Sequence, residues 1–139
     1  MTMQTALKIL VFIFGAVCVG IAFIHIAIGP SAIPGSVPVN ATMDSEDRFY
    51  ATLFLGFGAA LVWCSRDLAA RGGVFKALLL VFFLGGIARC VSALQVGMPN
   101  GFFQMLWALE LILPPVFWLW WRRHFDGERA APSSSEERA

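Results

Sequence analysis

Two charged residues stand inside otherwise apolar stretches, and their spacing predicts that they meet. Arg89 lies eight residues before Gly97, and Glu110 lies nine residues after Gly101. At about 1.5 Å per helical residue, both lie roughly 12–14 Å from the short turn between their helices. If these stretches cross a bilayer, a lone charge at that depth costs about 2.5–3.5 kcal/mol. We therefore expect an Arg89–Glu110 ion pair that faces protein rather than lipid.

Other polar side chains lie near the same ends of the apolar stretches as this pair. Together with the pair they form a candidate ligand-binding set: His25, Glu46, Arg48, Tyr50, Arg89, Ser92, Gln104, Trp107 and Glu110. The opposite ends of the stretches carry no comparable set. Because a few polar groups that converge in an apolar surrounding are typical of a ligand site, this asymmetry predicts a polar pocket that opens at one membrane face.

Two prolines follow Glu110 within the same stretch. Pro114 lacks the N–H that would bond the carbonyl of Glu110, and Pro115 likewise leaves the carbonyl of Leu111 without its helical donor. The pair of prolines predicts a kink and free backbone acceptors beside the carboxylate. Such an arrangement occurs at transporter sites, although kinks also serve packing alone.

Each of these features also fits a purely structural role. An Arg89–Glu110 pair can simply lock two helices together. His25 fits a hydrogen-bonded packing residue as well as a proton carrier. Glu46 and Arg48 fit an interfacial helix cap and its partner. The residue types alone do not decide between the two interpretations.

The composition indicates a membrane protein. Hydrophobic residues make up 58% of the 139-residue chain and charged residues 14%, against roughly 45–50% and 25% in soluble domains. So small a soluble fold has too little interior to bury this apolar surface. The net charge of +1 gives no basic field for nucleic acid. Cys18, Cys64 and Cys90 show no disulfide or metal spacing, and we expect no metal and no cofactor.

Four stretches reach, or nearly reach, the length of about 20 residues that a spanning helix needs. They cover approximately residues 7–28, 49–63, 74–96 and 102–121. The first is too long for the apolar region of a cleaved signal peptide, so we expect it to stay as a span. The sequence thus predicts an all-α, four-helix membrane bundle over residues 1–125 and a disordered cytoplasmic tail over residues 126–139.

Basic residues set the orientation of the spans. The amino terminus, the second connection and the carboxyl end contain Lys8, Arg66, Arg71, Lys76, Arg122 and Arg123, whereas the first and third connections contain no Lys or Arg. Because Lys and Arg concentrate on the cytoplasmic side, both termini are predicted to be cytoplasmic and the polar pocket to face outward. We expect the protein in the inner membrane of a bacterium as a multi-pass protein.

Small residues predict where the helices approach each other, because they let backbones come close in lipid. The candidates are Gly15, Cys18, Ala22, His25 and Gly29 in the first span, Gly56, Gly58 and Ala60 in the second, and Gly85, Gly86, Ala88 and Ser92 in the third. The connection before the second span contains three prolines and ends in an acidic segment. There Asp44 is the expected N-cap of the second helix.

Several motifs together resemble a bacterial family of small four-helix membrane proteins, catalogued as domain of unknown function four-three-four-five. The motifs are Glu46-x-Arg48-Phe49-Tyr50, Leu55-Gly56-x-Gly58, Gly86-x-x-Arg89-x-x-Ser92, Gly97-x-Pro99 and Glu110-x-x-x-Pro114-Pro115. The resemblance covers approximately residues 7–123. It implies the fold, similar in shape to the DoxX-like group, and the polar positions Glu46, Arg48, Arg89 and Glu110, but no reaction.

Three function classes follow from these features. The favoured one is a protein that binds a lipophilic small molecule with a polar end, or an accessory subunit that docks a membrane protein partner. The second is a membrane enzyme with Glu110 as acid or base, for example an isomerase or cyclase on a lipid-like substrate. The third is a transporter subunit, which with four spans must form a homo-oligomer. Since no nucleophile or cofactor motif is present, a non-enzymatic role is favoured.

Overall fold

The computed structural model describes residues 2–125, and this part of the chain is helical with no strand. Its elements are α1 (Met3–Ile28), a short 3₁₀ helix (Gly29–Ala32), α2 (Ala41–Arg66), α3 (Gly72–Val96) and α4 (Gly101–Phe125). Each long helix is long and apolar enough to cross a membrane. The predicted all-α, multi-pass membrane fold is therefore confirmed. The predicted cytoplasmic tail, residues 126–139, lies outside the described residues.

The helices divide into two compact units, each built around one helical pair. The α1–α2 unit comprises Lys8–Arg66, and the α3–α4 unit contains the residues from Asp67 onward together with the first turn of α1, up to Leu7. Gln4 belongs to the α3–α4 unit, where its side-chain amide donates a hydrogen bond of 2.7 Å to the carbonyl of His124. This contact fixes the beginning of α1 against the end of α4.

Helix α2 begins earlier than its apolar stretch suggests. It starts at Ala41, and the side-chain oxygen of Asn40 accepts a hydrogen bond of 3.0 Å from the backbone N–H of Met43. Asn40 is thus the N-cap, and the expectation that Asp44 has this role was wrong. Asp44 lies one turn inside the helix, where a carboxylate still interacts favourably with the positive end of the helix dipole.

Helices α1 and α2 approach closely where two glycines face each other. A Cβ atom on Gly15 would lie 2.8 Å from the carbonyl oxygen of Gly58, and one on Gly58 would lie 2.8 Å from that of Gly15. Cys18 and Ala22 continue the same face of α1 and are buried. The stripe of small residues predicted in the first span is therefore the packing surface of α1, as expected for helices that associate in lipid.

In the α3–α4 unit, small residues of α3 make room for large side chains of α4. A Cβ atom on Gly86 would lie 2.8 Å from Cδ2 of Leu111, and one on Gly72 would overlap the indole ring of Trp121. Trp121 is buried, and its indole N–H donates a hydrogen bond of 2.7 Å to the carbonyl of Leu68. These contacts fix how α4 is rotated about its axis against α3.

Some small residues that were expected at helix contacts do not face the partner helix. Within residues 2–125, no atom apart from the neighbouring residues and backbone of the same helix lies within 4 Å of a Cβ built on Gly56 or Gly85, and Ala88 and Ser92 are exposed. Successive residues point about 100° apart around a helix, so a neighbour of a contact glycine faces another direction. Neighbouring glycines lie at helix contacts as predicted, but these four positions do not contact the partner helix of their own unit.

Helix α4 runs through both of its prolines. It extends from Gly101 to Phe125 with Pro114 and Pro115 inside it. Because proline has no backbone N–H, the carbonyls of Glu110 and Leu111 each lose their helical hydrogen-bond donor. The carboxylate of Glu110 therefore stands on a turn of helix with fewer internal hydrogen bonds than its neighbours.

Candidate functional site

The centre of the candidate site is an ion pair between α3 and α4. Nε of Arg89 donates a hydrogen bond of 2.7 Å to Oε2 of Glu110, so the ion pair predicted from the sequence is present. The side chain of Glu110 is 12% exposed and that of Arg89 is 39% exposed. Gly86 makes the approach possible, since a Cβ atom there would lie 3.1 Å from Cβ of Glu110.

Two aromatic side chains of α4 adjoin the pair. The indole N–H of Trp107 donates a hydrogen bond of 2.8 Å to the backbone carbonyl of Gly86, which holds the ring against α3. The guanidinium carbon of Arg89 lies 5.8 Å from the ring centroid of Phe103, a distance at which cation and ring attract each other. The pair thus has two aromatic neighbours that an apolar ligand can contact.

Phe103 was not among the residues predicted for the site. It precedes Trp107 by four residues and Glu110 by seven, so the three side chains share one helical face. This spacing was a usable signal, but thirteen phenylalanines in the chain make any one of them inconspicuous. The structure distinguishes Phe103 by its place beside Arg89.

The guanidinium of Arg89 is only partly engaged. Its Nε is bonded to Glu110, whereas its two terminal nitrogens donate no hydrogen bond to any of residues 2–125. We call these two nitrogens the open edge of Arg89. A guanidinium presents its donors in a planar fork, so the open edge can bind an oxygen acceptor of a ligand.

A second polar cluster lies in the α1–α2 unit. Nδ1 of His25 lies 3.1 Å from Oδ2 of Asp47, and both side chains are about one-fifth exposed, at 22% and 19%. Asp47 was not predicted, and its only signal was its place in the acidic segment before the second span. A carboxylate on Nδ1 orients the imidazole ring and leaves Nε2 for another partner.

Arg48 joins the two helices of this unit. Nε of Arg48 donates a hydrogen bond of 2.9 Å to Oδ2 of Asp44, and Nη1 donates to the carbonyls of Ile26 and Ala27. These carbonyls belong to the last turn of α1, where helical donors are missing. The guanidinium of Arg48 is therefore occupied by the protein itself and is a less suitable ligand group than that of Arg89.

The other predicted site residues lie at exposed positions. The side chains of Glu46 and Ser92 make no hydrogen bond or ion pair within residues 2–125, and both residues are exposed. Tyr50 is 61% exposed and its ring packs edge-on against Phe49. Gln104 donates a hydrogen bond of 2.8 Å to the carbonyl of Pro99, which stabilises the turn before α4.

The predicted set is thus distributed over both units. Arg89, Trp107 and Glu110 meet in the α3–α4 unit, and His25 and Arg48 belong to the polar cluster of the α1–α2 unit. Within residues 2–125, no three His, Cys, Asp or Glu side chains group closely enough to hold a metal ion. The arrangement around Arg89 combines a cation, a carboxylate and two aromatic rings.

Comparison with known families supports the resemblance seen in the motifs. The model of a family described as a domain of unknown function, DUF4345, matches residues 6–121. This range contains α2 and α3, all but the first residues of α1 and the last residues of α4, and every member of the candidate site. Comparison with curated proteins and with solved structures gave no match.

Proposed function

This chain belongs to the DUF4345 family, and we propose that it binds a lipophilic molecule through an oxygen acceptor at the open edge of Arg89. The observation that carries the proposal is that Glu110 occupies only Nε, while the two terminal nitrogens of Arg89 have no partner within residues 2–125. Unsatisfied donors in an apolar surrounding are unfavourable. A ligand oxygen at this position satisfies them.

The charge balance of the pair favours a neutral acceptor. Glu110 already compensates the charge of Arg89 at 2.7 Å, so a carboxylate ligand brings an additional negative charge into an apolar region. A ketone or ester carbonyl accepts the same hydrogen bonds without that desolvation penalty. We therefore propose a carbonyl-bearing lipophilic molecule, with Phe103 and Trp107 against its apolar part.

The same contacts support binding in preference to acid–base catalysis. The carboxylate of Glu110 is nearly buried and bonded to Arg89, so its role in the proposal is to orient the guanidinium. His25 has a carboxylate partner, but it belongs to the α1–α2 unit. The accessory-subunit interpretation uses the same residues for a helix contact and predicts no ligand response that depends on Arg89.

The location that we propose is the cytoplasmic membrane of a bacterium, with the Arg89 site in the outer half of the bilayer. This orientation is supported by Lys76 at the beginning of α3 and by Arg122 and Arg123 at the end of α4, the ends of the two helices that lie away from Arg89.

The test uses three probes with an 18-carbon chain: methyl oleate, oleate and 1-octadecene. The midpoint of thermal unfolding in mild detergent is measured against the concentration of each probe, since a ligand that binds the folded state raises this midpoint. We expect methyl oleate to raise it in the wild type and in Arg66→Gln, and to have no effect in Arg89→Gln. Arg66 is an exposed arginine outside the site and serves as the matched control.

Each alternative gives a different result. Equal responses of Arg89→Gln and Arg66→Gln contradict a ligand site at Arg89. An effect of octadecene as large as that of methyl oleate shows that the oxygen acceptor is not recognised. A larger effect of oleate than of methyl oleate identifies a carboxylate ligand and refutes the preference for a neutral carbonyl. Circular dichroism of each variant establishes that the helices are intact.

A further inference from the structure

A groove separate from the Arg89 site runs between α3 and α4. It has a volume of about 290 Å³ and is lined by Lys76, Leu79, Leu80, Phe83, Pro114, Pro115 and Trp118. Lys76 and Arg89 are thirteen residues apart on α3, which corresponds to about 20 Å along the helix. The groove is therefore a different site from the one discussed above, and the inference does not depend on the proposed function.

The lining is mostly apolar and partly exposed. Leu80 is 58% exposed and Trp118 is 40% exposed, while Leu79 and Pro114 form the buried floor. The volume is near the lower limit of ligand pockets, which is roughly 300 Å³. A groove of this size and composition suits a single hydrocarbon chain better than a polar metabolite.

Two cations lie at the groove, one in its lining and one beside its residue Trp118. Nζ of Lys76 lies 4.8 Å from the ring centroid of Trp121, and the guanidinium carbon of Arg122 lies 5.7 Å from that of Trp118. Neither cation forms an ion pair with any residue in the range 2–125. Trp121 is itself fixed by burial and by its hydrogen bond to Leu68, so it holds the ammonium group in place.

From this combination we infer that the groove binds an anionic phospholipid, with one acyl chain against Leu80 and Trp118 and the phosphate beside Lys76. The cations and the apolar groove lie on the same helical pair, as the head and chain of one lipid require. A zwitterionic lipid binds more weakly, because its own ammonium group compensates the charge of its phosphate and is repelled by Lys76 and Arg122. Basic positions beside membrane helices attract anionic lipids in this way.

The experiment measures quenching of tryptophan fluorescence by lipids with dibrominated acyl chains, which quench only at contact distance. The full chain is placed in vesicles of phosphatidylcholine with increasing fractions of brominated phosphatidylglycerol or brominated phosphatidylcholine. Three variants are compared with the wild type: Lys76→Gln, Lys8→Gln and Trp118→Phe. Lys8 is the only other lysine of the chain and does not line the groove.

We expect the wild type and Lys8→Gln to prefer brominated phosphatidylglycerol to the same extent. In Lys76→Gln this preference falls about fivefold, the factor for one basic residue at an anionic lipid, and Arg122 maintains the remainder. In Trp118→Phe the part of the quenching that depends on Lys76 disappears, because the reporter in the groove is removed.

Three results overturn the inference. The first is equal quenching of the wild type by both brominated lipids. The second is an equal loss of preference in Lys8→Gln and Lys76→Gln, which indicates a general charge effect. The third is Lys76-dependent quenching that persists in Trp118→Phe, which places the lipid elsewhere. Helical circular dichroism shows that each variant is folded, and none of these results affects the Arg89 site.

Discussion

At the scale of single residues, the ion pair between Arg89 and Glu110 has both a structural and a functional consequence. The pair removes most of the penalty for two charges in an apolar surrounding. It also fixes the guanidinium through Nε alone, so the terminal nitrogens keep their donors for a ligand. A fully bidentate pair would satisfy the same charges and leave less for recognition.

The ion pair can be tested by a double-mutant cycle. Glu110→Gln leaves Arg89 without its carboxylate and is expected to lower the free energy of unfolding by about 1–3 kcal/mol. Arg89→Gln is expected to have a similar effect. The double variant should lose less than the sum of both, with a coupling energy of about 0.5–3 kcal/mol, measured by unfolding in mixed micelles. Strict additivity would contradict a direct interaction.

Three tryptophans of α4 provide a second prediction. Trp107 and Trp121 donate hydrogen bonds to backbone carbonyls, so replacement of either by Phe should lower the free energy of unfolding by about 0.5–1.5 kcal/mol. The buried Nε1 of Trp120 has no partner within residues 2–125, so Trp120→Phe should leave stability unchanged or raise it. Greater destabilisation by Trp120→Phe than by Trp107→Phe, in the same micelle assay, would refute this assignment.

The sequence was sufficient to predict the ion pair but not its surroundings. Arg89 and Glu110 were placed at similar depth because both can be counted from the same short turn. Phe103, Asp47 and the bond from Trp107 to Gly86 depend on how each helix is rotated against its partner. That rotation follows from the packing of small and large side chains in three dimensions, which spacing along one helix does not determine.

At the scale of elements, the apolar stretches predicted the number and order of the helices. The ends of the helices were predicted less accurately, because α2 begins at Ala41 and includes polar residues before its apolar stretch, which starts at Phe49. Such residues form a helix readily once a cap is available, and Asn40 provides it. Hydrophobicity therefore marks the membrane-embedded part of a helix rather than its full length.

Pairs of nearby glycines test the packing of both units. Gly58→Ala and Gly86→Ala place a methyl group within 3.0 Å of neighbouring atoms and should each destabilise the protein by about 1–3 kcal/mol. Gly56→Ala and Gly85→Ala meet open space and should leave stability unchanged or raise it by up to about 1 kcal/mol, the gain in helix propensity. Thermal unfolding in detergent measures all four. Equal effects of Gly56→Ala and Gly58→Ala, or of Gly85→Ala and Gly86→Ala, would contradict the packing described.

At the scale of the whole molecule, an even number of candidate spans predicts that both termini lie on one side of the membrane. The distribution of Lys and Arg predicts that this side is the cytoplasm. This topology stays a prediction, which rests on the charge and hydrophobicity along the chain. The sequence did not predict the groove at Lys76, because the residues that line it come from two helices that meet only after folding.

The topology is tested by single cysteines in a background without Cys18, Cys64 and Cys90. Ser36→Cys lies in the connection between α1 and α2, and Ala70→Cys lies in that between α2 and α3. A membrane-impermeant maleimide should label the first variant in intact bacterial cells and the second only after the cells are opened. The reverse pattern would invert the topology and move the Arg89 site to the cytoplasmic half of the bilayer.

Native mass spectrometry of the protein released from gentle detergent or nanodiscs shows directly whether Arg89 holds a ligand. We expect a bound lipophilic molecule with a carbonyl group in the wild type and in Arg66→Gln, and its loss in Arg89→Gln. A wild-type mass without a ligand, or a stable complex with a second protein in its place, would contradict the ligand site and make the Arg89–Glu110 pair a structural contact between helices.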